Sequence, residues 1–476
     1  MTSTYLASIG LEVHVQLKTR TKMFCACPAH REGDDPNSHT CPVCLGLPGA
    51  LPTMNREAIR KTVQTGLMIG SQISLVSAFD RKNYFYPDMP KDFQITQQAL
   101  PLCIGGGVTI QTPDGPKTIR VNHIHLEEDA AKITHLEHSS EVDYNRASTP
   151  LMELVTEPDM ASPDEALAFL TALKEMLLYA QISDCNLEMG HMRADVNSSV
   201  RPAGADRLGT RTEIKNMNTF RGIHRALEYE LARQIALLDA GDSVKQETRR
   251  WDDAEGVTLP MRSKEYAHDY RYFPEPDLPP VRLAPELVEQ WRAELPELPA
   301  ARRARFVQDY GLPDYDAGVL TASRATADFF EAVAKECDNP KAASNWTMGE
   351  VLRALSESDQ TLADTPLTPH ALAALIKLLD AKTINQPAAK EVFQILFEQG
   401  GDPDAIVKEK GLAQVSDTGA LEGFAKTAIE GNPKSVADYR AGKQAALMFL
   451  VGQVMKASRG KANPKLAAET LKKLLD

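Results

Sequence analysis

The chain has 476 residues, 53 Lys+Arg against 65 Asp+Glu, a net charge of −12 and 43% hydrophobic residues. These proportions describe two to four globular domains at roughly 150 residues each and exclude disordered, collagenous and low-complexity classes. No apolar run approaches the ~20 residues that span a bilayer, and Met1–Gly10 lacks the basic-then-apolar pattern of a signal peptide. Seven cysteines, an odd number, predict free thiols in a reducing, cytoplasmic compartment rather than a disulfide framework.

In chain order, Ile9, Leu11, Val13, Val15 and Leu17 alternate with Gly10, Glu12, His14, Gln16 and Lys18, which predicts a strand with one apolar face. Glu12 and His14 share its other face, about 7 Å apart; they can converge on a cation or face water. Cys25-Ala-Cys27 and Cys41-Pro-Val-Cys44 form two close pairs. Four thiolates at such spacing suit a closed, structural Zn²⁺ site, with His30 or His39 as substitute ligands. Cys103, Cys185 and Cys337 stand alone.

Phe79–Lys91 and Asp269–Asp277 are aromatic, basic and Pro-punctuated loops. Lys82 and Lys91 in the first could compensate buried carboxylates or line a polar passage. Gly105-Gly106-Gly107 followed by a strand pattern and Asp114-Gly115 predicts a hairpin, not a phosphate loop. Alternation continues over Ile119–Glu127 and ends in Glu127-Glu128-Asp129. Three adjacent acids repel unless a cation compensates them, and an oxygen-rich set suits Mg²⁺ holding phosphates better than zinc.

Ser162-Pro163-Asp164-Glu165 predicts a capped helix start with a capping box. Strand patterns over Leu187–Val200 and Gly209–Met217 place His191, Arg193, Asp195 and Asn197 on one face, and Arg211, Glu213 and Lys215 on another. A second helix is expected from about Thr219 to Ala240, stopping at Gly241. Acids and cations on three strands point to a basin for a metal-bound polyphosphate. Strand runs broken by helices without a repeating βαβ period predict an α+β fold around a mainly antiparallel sheet.

The Pro-rich stretch Phe273–Pro280 marks the edge of this first domain, placed at residues 1–290. Helical patterns follow, giving an all-α connector over 291–403 that ends at Gly400-Gly401-Asp402-Pro403 and a small all-α tail over 404–476. From Ala441 onward seven basic and two acidic residues give the tail +5, leaving −17 for the other 440 residues. A basic tail on an acidic body suits a phosphate backbone or serves solubility alone. No G-x-x-x-x-G-K-[ST] and no G-x-S-x-G is present, so the chemistry needs no protein acyl intermediate.

Ile9–Leu17, Phe79–Pro87, His125–Lys132, Asn145–Leu151, Glu213–Asn218 and Asp269–Asp277, in this order and across the chain, resemble the GatB subunit family of bacterial aspartyl/glutamyl-tRNA amidotransferases. The resemblance implies an ATP-dependent ligase that phosphorylates the side-chain carboxylate of Glu-tRNA(Gln) or Asp-tRNA(Asn), then amidates it. The ammonia would come from a GatA-like glutaminase, joined by a small GatC-like subunit in a heterotrimer. It implies Mg²⁺ and catalysis at Glu12, His14, Glu127, Glu128, Asp195 and Glu213. It also implies an ammonia passage at Lys82 and Lys91 and tRNA contact by the tail, with Lys443, Lys456, Arg459 and Lys461. Ala131 stands where many relatives have glycine, which implies an altered turn without a lost ligand. The zinc quartet would hold the fold only. Without the resemblance, the competing reading is a zinc-bearing nucleic-acid-binding module without catalysis, which would have no use for clustered acids.

Overall fold

The computed structural model describes residues 4–29, 33–261, 270–414, 418–458 and 462–475. The chain divides into two compact units, Met1–Leu298 and Pro299–Asp476.

The first unit is built on a ten-stranded sheet. Its central strands are β1 (Tyr5–Gln16), β2 (Gly115–Glu128), β3 (Pro150–Thr156), β4 (Met192–Pro202), β5 (Thr212–Lys215) and β6 (Glu247–Asp252). From one edge the order is Val257–Pro260, β6, β5, β4, β1, β3, β2, Cys103–Ile104 and Gln72–Ile73; Gly107–Thr112 pairs with β2 as the expected hairpin. Every pairing is antiparallel except β5 with β6. A parallel pair needs a crossover, and α3 (Phe220–Asp239) supplies it. The α+β expectation therefore holds. The predicted strand starts at 187 and 209 were too early, because Asn186–Gly190 turns before β4 and β5 begins only at Thr212.

One face of the sheet is dry. Ile9, Leu11, Val13 and Val15 of β1 are buried with Met152 and Leu154 of β3 and Met192 and Val196 of β4. Helices α1 (Arg56–Met68), α2 (Pro163–Tyr179) and α3 cover this face through Val63, Phe169, Leu173, Leu177, Ile223 and Leu227. Each fully buried side chain of this kind contributes about 1.5–3 kcal/mol. The α2 start is half a capping box: Ser162 accepts from the Glu165 amide, but the Glu165 carboxylate takes the Ala161 amide and Lys117. Gly241 follows α3 with φ +79°, the left-handed conformation that costs glycine least.

The β2–β3 register shifts between Val155, opposite His123, and Thr156, opposite Val121. Asn122 is thus an extra residue, a β-bulge. Before it, odd-numbered Ile119 and Val121 face the core; after it, even-numbered Ile124 and Leu126 do. His123, His125 and Glu127 are thereby turned to the opposite, wet face.

Beyond the Pro-rich stretch, the helix Pro285–Ala293 belongs to the first unit, where Val288 and Trp291 enter the core. The second unit is all-helical among its described residues. The helical run over 340–358 is three pieces: Pro340–Trp346, a π turn at Thr347–Val351 and Leu352–Ser358. Arg302 and Arg305 clamp Glu331 at 2.7 and 2.9 Å. The four helices from Thr418 to Leu475 share a core of Leu421, Ala425, Leu450, Val454 and Leu471. Among the described residues no helix is long and apolar enough to cross a membrane.

Candidate active site

The wet face of the sheet carries the acids, and strand register brings them together. Glu12 lies directly across from Asp195, His14 from Glu153 on one side and Arg193 on the other, and Glu153 from His125. Glu213 lies across from Asn197 on one side and Thr248 on the other.

Two trios result. His14, Glu127 and Glu153 each offer one ligand atom within 4.8 Å of the others, and so do Glu12, Asp195 and Glu213. In the first, His14 Nε2 is 3.0 Å from Glu153 Oε2 and 4.0 Å from Glu127 Oε1. His125 Nε2 lies 3.4 Å from Glu127 and 3.6 Å from Glu153, and stacks on His123 with ring centroids 5.2 Å apart. Burial, the largest single influence, would lower the pKa of His14 and His125, but Glu153 and Glu127 together outweigh it and hold both above the usual histidine value. Burial opposes ionisation of Glu153 too, yet His125 and His14 hold it well below the usual carboxylate range.

Neutral donors fix the carboxylates. Thr96 Oγ1 donates to Glu127 at 3.1 Å, Asn197 Nδ2 to Glu12 at 2.9 Å and Thr248 Oγ1 to Glu213 at 2.7 Å. Both trios open on one cavity of about 770 Å³, also lined by Lys82, Arg211, Lys215, Tyr270 and Tyr272. Burial would lower the pKa of Lys82, but Glu127, with Tyr272 and Glu153, keeps it above the usual lysine value. Lys215 pairs with Asp195 and lies 3.3 Å from Glu213.

Of the acids and the histidine expected to act together, Glu12, His14, Glu127, Asp195 and Glu213 meet here. Glu128 does not. It sits on the core face with Ile124 and Leu126, where Lys91 Nζ is 2.7 Å away and the Ile95 amide donates at 2.9 Å. Asp129 takes a third direction, toward Arg193 at 3.0 Å and Gln16 at 2.7 Å. The predicted repulsion in the acidic run is thus relieved by three separate partner sets. Lys91 accordingly lines a different cavity, of about 170 Å³, with Phe24, Leu47, Arg81, Phe93 and Glu275. Arg81 binds Glu275 through two hydrogen bonds at 2.8 and 2.9 Å, and Phe273–Pro274 pairs with Asp80–Arg81. The two aromatic loops are therefore neighbours; Asp269, at the start of the second, lies outside the described residues.

Glu153 and His125 escaped the sequence reading. The signal was there for Glu153: a single carboxylate between Met152 and Leu154 in an otherwise apolar strand.

The four cysteines form a separate cluster, with their Sγ atoms all within 4.8 Å and Cys41 and Cys44 3.8 Å apart. His39 pairs instead with Asp34 at 3.3 Å; His30 lies outside the described residues. Lys22 is fully buried and donates to Cys44 Sγ at 3.6 Å and to the Tyr144 carbonyl at 3.1 Å. Among the described residues no carboxylate lies within ion-pair distance of it. A buried ammonium requires an anion. The hydrogen bond from Cys25 and the Lys22 charge, against burial, bring Cys44 down to about 4. This donor set fits Zn²⁺, whereas the oxygen-rich trios fit a harder divalent ion.

The sequence model of the family described as "GatB/GatE catalytic domain" matches residues 7–289, and the one described as "GatB domain" matches 328–475. The chain belongs to the GatB/GatE family. Curated GatB relatives extend the likeness over the full length. Proteins from Thermoanaerobacter pseudethanolicus and Syntrophotalea carbinolica are each 51% identical, over 472 and 476 residues. One from Caldicellulosiruptor saccharolyticus is 50% identical over 477. At least 99% of both chains is covered in each case, and all three are named as the B subunit of an aspartyl/glutamyl-tRNA(Asn/Gln) amidotransferase.

Proposed function

We propose that this chain is the B subunit of a tRNA-dependent amidotransferase, an ATP-dependent carbon–nitrogen ligase acting on Glu-tRNA(Gln), Asp-tRNA(Asn) or both. The observation that carries it is the convergence of two oxygen-rich trios and three basic side chains on one cavity. A carboxylate is a poor electrophile. Its oxygen attacks the terminal phosphorus of ATP and ADP leaves; ammonia then forms the C–N bond at the acyl carbon, and phosphate departs with the proton. Phosphoryl transfer of this kind needs positioning and charge neutralisation more than covalent help.

Glu12, Asp195, Glu213, His14, Glu127 and Glu153 are the residues that would hold Mg²⁺, which when bound neutralises phosphate charge. Lys82 and Arg211 supply fixed positive charge to the substrate's anionic groups, and Thr96, Asn197 and Thr248 keep the carboxylates aimed. Glu128 acts through Lys91. That pair, with Lys82, belongs to a polar passage for ammonia made by a partner glutaminase, with a further small subunit completing a cytoplasmic heterotrimer. The second unit divides near residue 403 into a connector and a tRNA-binding tail, supported by the separate core of the last four helices. Lys443 and Lys456 are exposed there; Arg459 and Lys461 lie outside the described residues. Zinc in the cysteine cluster holds the fold.

The test is amidation of each mischarged tRNA by the chain co-expressed with its two partner subunits. Glu127→Gln should abolish amidation and leave tRNA binding and glutaminase intact. Loss of tRNA binding with amidation of bound tRNA preserved would overturn the assignment.

A further inference from the structure

The two trios differ in what stands among their ligands. In the His14 trio the cations are its own imidazole and His125, while Lys82 rests over the Tyr270 ring at 5.0 Å. In the Glu12 trio the Lys215 ammonium pairs with Asp195 and reaches Glu213 Oε1 at 3.3 Å. Glu213 Oε2 already accepts from Thr248 and Glu12 Oε1 from Asn197. The ammonium therefore sits on Asp195 Oδ2 and Glu213 Oε1, two of the oxygens that a cation in this cluster would use. Lys215 and Glu213 also belong to the same short strand, so the two cannot separate by backbone movement.

We propose that Lys215 is a resident counter-cation of the Glu12–Asp195–Glu213 cluster, displaced when a divalent cation arrives with a polyphosphate, and that its freed ammonium then pairs with a phosphate oxygen. This rests on reading the basin as a metal–nucleotide site. Three carboxylates against one ammonium leave two negative charges uncompensated, so the cluster demands more positive charge than Lys215 supplies. A divalent ion alone would leave the ammonium facing like charge at close range. A polyphosphate removes that conflict by offering the ammonium an anion. The side chain has a flexible four-carbon stem and is about a quarter exposed to the 770 Å³ cavity, so it can turn without disturbing β5. Lys215 is thus a positioning residue that makes this cluster take its metal together with nucleotide, whereas the His14 trio has no such gate.

Mn²⁺ binding to the full chain tests this without any turnover, read by the electron spin resonance of free Mn²⁺. Glu153→Gln silences the His14 trio so that the Glu12 cluster is measured alone. In that background a non-hydrolysable ATP analogue should tighten Mn²⁺ binding at matched free Mn²⁺. Lys215→Met should tighten binding without nucleotide about tenfold, the expected effect of removing one like charge at contact distance, and should remove most of the analogue's effect. Lys215→Gln, which keeps a hydrogen bond to Asp195, should behave similarly if the methionine variant fails to fold. Unchanged or weaker Mn²⁺ binding in a folded Lys215 variant would overturn the inference while leaving the metal basin intact. Absence of Mn²⁺ binding to the wild-type chain, with or without the analogue, would overturn the basin reading itself and this inference with it.

Discussion

The first unit holds two ligand sets that differ in almost every physical respect. The cysteine quartet gathers four soft donors around one point, backed by a fully buried Lys22. The acidic trios set five carboxylates and one imidazole in a wide cavity that Lys82, Arg211 and Lys215 also line. A closed set can only hold; an open one can exchange. The comparison assigns stability to one and chemistry to the other, and each assignment can be broken separately.

The largest effect is expected at the open set. Glu153→Gln removes the carboxylate that His14 and His125 share, and amidation by the assembled enzyme should fall by roughly 10²–10³-fold while the protein stays folded. A variant that unfolds instead would make the basin as structural as the quartet. Cys44→Ser should do the reverse: zinc is lost from the purified protein and stability drops by several kcal/mol, while amidation per folded molecule persists. Retained melting with lost amidation would erase the distinction. Lys22→Met should sharpen it, weakening zinc retention against a competing chelator by roughly tenfold. Unaltered retention would show that the buried ammonium answers to something other than the thiolates.

The smallest effect is on pH. His14 has its folded pKa above 6.5, so the stability of its pair with Glu153 is fully present below 6.5 and is lost as pH rises through the raised value. Glu153 is depressed below 4.5, so its share is lost only as pH falls through that lower range. Melting of metal-free wild type and Glu153→Gln should therefore differ most between these limits and converge at alkaline pH. A gap that widens with pH would show that His14 is not the partner.

Much of this was legible in the residues because it is local. The alternation of Ile9 to Val15, the Ser162 cap and the cysteine spacing all act over a few positions, and the structure has each of them. What escaped depends on pairing between distant strands. Glu153 joins the trio only because β3 lies against β1 in a register that sets it opposite His14. Glu128 looks like its neighbour Glu127, yet the pleat sends it to the other side, where Lys91 receives it. Lys82 and Lys91, nine positions apart on one loop, end in different cavities because β2 separates the acids they face.

The extra residue at Asn122 gives β2 the equivalent of a reading frame. Upstream of it, the hairpin can change length only at its exposed turn, because Ile119 and Val121 keep an inward parity of their own. Downstream, over His123–Glu127, one residue gained or lost is a frameshift: Ile124 and Leu126 would go to water and a carboxylate into the helical layer. Insertions there are tolerable only in pairs. The five residues that carry the histidines and Glu127 are therefore fixed in number as well as in kind, whereas the turn at Pro113–Asp114 is where this strand can vary in length.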